Sequence, residues 1–157
     1  SSIIIYERKK KLMGLVIGIV LRIIIIEKFG GDRLPSWMPR ADWEDKNDYP
    51  WEIFYWRKCW NIREVIFEHL IENKIQVCDD CSFDMPMPLD VFWTLCKKLN
   101  NCYNAKWWNE HNQSILSWED VEKTGYQKDR LALAMRLVGW LETKDPESYE
   151  ISFYDSY

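Results

Sequence analysis

Apolar and polar positions divide the chain into segments of different period. Leu12 to Ile26 is an apolar run of fifteen residues, broken by Arg22 and holding Gly14 and Gly18. At 1.5 Å per residue it is too short for the roughly 20 residues that a membrane helix needs. Its Ile and Val content favours strand. Val16, Ile17, Ile19 and Val20, followed by four isoleucines, read as one strand buried on both faces or as two strands. A membrane-associated helix and a buried helix are the alternatives. Gly30-Gly31 closes the segment.

Residues 32–49 are rich in Pro, Asp and Asn and read as irregular, with Trp37 and Trp43 embedded in them. Helical spacing predicts a first helix from about Pro50 to about Lys74. Tyr55, Cys59, Ile62, Ile66 and Leu70 form its stripe, with Trp56, Trp60, Phe67 and Ile71 beside it. Arg57, Lys58, Arg63, Glu64, Glu68 and Glu72 fall on its wet side. Ile75 to Val77 reads as a short strand inside a connection. Pro88 opens a second helix with Leu89, Phe92, Cys96, Leu99 and Tyr103 on one face, ending near Asn100-Asn101.

A third helix is predicted from Thr124 or Gly125 with the stripe Leu131, Ala134, Met135, Val138 and Leu141, terminated by Pro146. In the tail, Tyr149, Ile151 and Phe153 alternate with Glu150, Ser152 and Tyr154, the period of a half-buried strand. The expected fold is α+β: about three helices packed on a small sheet formed by the N- and C-terminal strands. At 157 residues the chain fits a single domain, with residues 1–12 as an extension or tag-like segment.

The net charge of −4 argues against direct nucleic-acid binding. Residues 1–31 carry six Lys/Arg against two acids, so the remaining body is acidic, and an acidic body can steer a basic partner. Five cysteines, with no small-residue cleavage site after Ser1 to Lys11, read as reduced thiols in a cytoplasmic protein. Membrane association is not expected.

Candidate chemistry is sparse. Cys78-Asp79-Asp80-Cys81 has the spacing of a redox or metal motif, but its two acids raise a thiol pKa, the wrong direction for a nucleophile. Zinc would need Cys96 and Cys102 as well, and Cys96 lies on an apolar stripe. No phosphate loop, nucleophile elbow or metalloprotease helix is present, and neither His69 nor His111 is placed beside a nucleophile by spacing. No cofactor, metal or catalytic residue is therefore expected.

The ten tryptophans are the strongest remaining signal. They are too many for one small core, and surface Trp marks contact sites. Trp56, Arg57 and Trp60 could stack a base and hold a phosphate, or form a core stripe with cations beside it. Adjacent Trp107 and Trp108 point in different directions, so at least one can meet a partner.

Tyr55-Trp56-Arg57-Lys58 followed by Ile62 and Phe67 resembles the Tyr-Trp-Arg-Lys-x-x-x-Ile helix of a small uncharacterised family common in phages and prophages. Asp79-Asp80-Cys81, Leu95-Cys96-Lys97-Lys98, Met13-Gly14-Leu15 and the ending Phe153-Tyr154-Asp155-Ser156-Tyr157 are similar to its other segments. Val16 stands where that family has Asp, and Arg63 where it has His. The resemblance implies a phage or prophage origin and no particular chemistry. The resulting expectation is a non-enzymatic phage accessory protein that binds a host protein, such as a component of a host defence system, in the manner of anti-CRISPR proteins. The alternative is a small-ligand (nucleotide) binding or sequestering protein. A homodimer would use the same surplus of tryptophan.

Overall fold

The computed structural model describes residues 15–31, 35–38, 50–57, 59–78, 84–104 and 126–156. In chain order the elements are β1 (Val16–Ile23), α1 (Ile26–Phe29), β2 (Trp51–Arg57), α2 (Trp60–Glu72), β3 (Met85–Met87), α3 (Leu89–Asn104), α4 (Tyr126–Leu141) and β4 (Tyr149–Ser156). The strands form one antiparallel sheet in the order β2-β1-β4-β3. This is the expected α+β class, with the N- and C-terminal strands side by side at the sheet centre. Among the described residues no helix is long and apolar enough to cross a membrane.

The Leu12–Ile26 run yields a single strand. In β1, Ile17, Ile19 and Leu21 are buried against the helices, and Val20 is buried on the opposite face. The run ends in exposed residues, Ile24 at 55% and Ile26 at 54%.

The predicted helix from Pro50 to Lys74 is corrected: its first third is a strand. Trp51–Arg57 concentrates aromatic and β-branched side chains, which fit a pleated surface. Pairing with β1 also satisfies a row of β1 backbone groups that a helix would leave open. A bulge fits this strand to the core. The register passes from Ile19↔Phe54 to Val20↔Glu52, so Ile53 is an extra residue. That extra residue lets Trp51 before it and Phe54 and Trp56 after it all be buried, with Ile53 itself buried too, while Glu52 and Tyr55 are only half-buried.

The helix resumes at α2, where Ile62, Ile66 and Leu70 keep their predicted stripe. Two positions move. Ile71 is 58% exposed, and Arg63, expected on the wet side, is buried. Starting the helix at Trp60 sets its phase by its packing on β4, which turns Arg63 inward toward Asp155.

The strand expected at Ile75–Val77 is absent; the pairing falls instead on β3, where Met85 and Met87 face the core. Pro86 lies between them, on an edge strand where its lost N–H is tolerated. The Pro88 carbonyl accepts from Phe92 N at 3.0 Å, so Pro88 caps α3 rather than beginning it. α3 runs on to Asn104, past the expected end, and α4 stops at Leu141, well before Pro146. β4 has the expected alternation: Tyr149, Ile151 and Phe153 are buried on the helix side, and Asp155 continues that face.

One core fills the space between the sheet and the helices. Phe54 stacks on Trp56 with centroids 5.0 Å apart, Phe54 meets Phe92 at 6.5 Å, and Phe67 stands edge-on to Phe153 at 5.7 Å. Such aromatic pairs add to the area they bury.

Candidate functional site

The thiols and the described imidazole are built into the packing. Burial pushes both Cys59 and Cys96 up to about 12, so each is a protonated, inert thiol at neutral pH. Cys59 Sγ donates to Arg57 O at 3.3 Å. Burial also raises Cys102, with Lys98 opposing. His69 is buried between α2 and α3; its Nε2 lies 3.0 Å from Val91 O and 3.0 Å from Thr94 Oγ1. A carbonyl only accepts, so Nε2 carries the proton that reaches Val91. His111 lies outside the described residues.

The expectation that every thiol is reduced is corrected at one position. Cys59, Cys96 and Cys102 are free, but Cys78 is disulfide-bonded. Cys78 is exposed, whereas Cys59 and Cys96 are buried and Cys102 is half-buried. Among the described residues no group of three or more His, Cys, Asp or Glu is placed to hold a metal ion.

Polar groups collect in two places on the sheet. On the helix side, Arg63 Nε and Nη2 both donate to Asp155 Oδ2, at 2.9 and 2.7 Å. The guanidinium lies 4.7 Å from the Trp60 ring and 4.1 Å from the Phe67 ring. These rings stand one helical turn to either side of Arg63 and exclude water from the pair. On the opposite side, Tyr154 donates to Glu52 Oε2 at 2.8 Å, Ser152 Oγ donates to Glu150 Oε1 at 2.8 Å, and Arg22 pairs with Asp84. Burial first, and then the Glu52 carboxylate, raise the Tyr154 phenol well above its ordinary range. The Tyr154–Glu52 bond spans β1 to join β4 to β2, and Arg22–Asp84 joins β1 to the residue before β3, whereas Ser152–Glu150 stays within β4.

The structure separates the residues singled out from the sequence. Trp56 is buried in the core against Phe54. Arg57, its neighbour on a strand, points to the opposite face and is exposed at the end of β2. Trp60 is half-buried and covered by Arg63. Trp107 and Trp108 lie outside the described residues. Trp56 and Arg57 therefore do not converge on one ligand-sized site.

Aromatic side chains and cations do meet, but on α4 and the segments around it. The Arg136 guanidinium lies 4.2 Å from the Trp37 ring. Trp140, one turn further along α4, stands edge-on to Phe29 of α1 at 5.3 Å. Lys144 Nζ, in the turn that closes α4, lies 5.0 Å from Trp140 and 4.9 Å from Phe29. Trp37 and Trp140 are half-buried and Arg136 is exposed, so this row faces water. Lys144 reaches the rings beside Gly30, whose φ of +85° closes α1 in the left-handed conformation.

The row has a sequence signal that hydrophobic stripes overlook. Arg136-x-x-x-Trp140-x-x-x-Lys144 repeats every four residues and places a cation on each side of one indole. Trp37 is far away in sequence and gave no such sign.

Fold and surface together define a small α+β protein: an antiparallel four-stranded sheet with helices on one face and a row of cation-capped tryptophans along α4. No protein-family model, curated protein or solved structure matches the chain.

Proposed function

We propose that the chain is a non-enzymatic phage accessory protein that binds a host protein in the host cytoplasm and inhibits a host defence system. The observation that carries the binding part is the α4 row, where Trp37 and Trp140 sit half-exposed beneath Arg136 and Lys144. Tryptophan and arginine are the side chains most enriched where proteins bind one another. The inert state of Cys59 and Cys96 supports binding over thiol chemistry. The phage and host-defence parts rest on the family resemblance around Tyr55-Trp56-Arg57-Lys58. In a reducing cytoplasm the Cys78 disulfide would open.

The alternative, a nucleotide-binding or sequestering protein, has less support. Its stacking residue Trp56 is buried, and Arg57 points away from it.

The test is a tagged pull-down from host lysate read by native mass spectrometry. One host protein at fixed stoichiometry is the expected result. A small-molecule adduct with no partner protein would replace this reading with the sequestering one.

A further inference from the structure

We draw no further inference here: the strongest candidate, the outer face of α2 that carries Glu68, Glu72 and the exposed Ile71, already has Lys98 paired with Glu72, and nothing in the structure shows what covers the rest of it.

Discussion

Tyr154 on β4 and Glu52 on β2 are hydrogen-bonded across the strand that separates them, Oη to Oε2 at 2.8 Å. The ring crosses β1 at Gly18, which is paired with both Tyr154 and Tyr55. A Cβ at Gly18 would stand 2.5 Å from the Tyr154 hydroxyl and 2.6 Å from its ring. Glycine is needed here for space, and the bond it permits ties an edge strand to the sheet centre.

Gly18→Ala should therefore push the phenol off β1 and break the bond to Glu52, costing about 1–3 kcal/mol in denaturant unfolding. Tyr154→Ala removes the obstacle, so Gly18→Ala in that background should cost much less. Additive costs in the double-mutant cycle would show that the ring does not set the need for glycine.

Asp155→Ala should be among the most damaging single changes. It leaves the Arg63 guanidinium buried without its carboxylate, a loss of about 3–5 kcal/mol. Arg63→Met with Asp155→Leu removes both charges and should recover most of the stability. A double variant no more stable than Asp155→Ala would mean that the pair supplies more than mutual neutralisation.

Alkaline stability should report the buried thiols. Cys59 and Cys96 ionise near 9 when exposed and near 12 when folded, so between these values the unfolded chain gives up protons that the folded chain keeps. Stability is then fully present below about pH 9 and falls as pH rises toward 12, by up to about 1.4 kcal/mol per pH unit for each thiol. Cys59→Ala with Cys96→Ala should flatten that fall, as measured by denaturant midpoints from pH 8 to 11. The raised Tyr154 phenol acts in the same direction above pH 10 and remains in the double variant.

Phe153 is fully buried on β4, edge-on to Phe67. Phe153→Ala should cost about 3–5 kcal/mol, and Phe153→Leu markedly less because most of the volume is retained. Thermal unfolding of the two variants separates these outcomes. Equal losses would place the cost in aromatic geometry rather than in the cavity.

Local pattern by itself indicated the α+β class, favoured strand over helix within Leu12–Ile26, and marked the alternation of Tyr149 to Tyr154 and most of the buried stripes of α3 and α4. Those assignments rest on periodicity over many residues, which survives folding because each element buries one face. Tertiary structure decided what short segments became. Trp51–Arg57 carries spacing that suits a helix, and it became a strand because β1 has an edge to fill and a bulge at Ile53 adjusts its phase. Arg63 reads as a surface charge until Asp155 arrives from the other end of the chain. The α4 row was half legible: the four-residue spacing of Arg136, Trp140 and Lys144 is local, whereas Trp37 and Phe29 join it only through folding. Periodicity records which face of an element is buried; which distant side chain meets it is set by packing, and no local pattern carries that information.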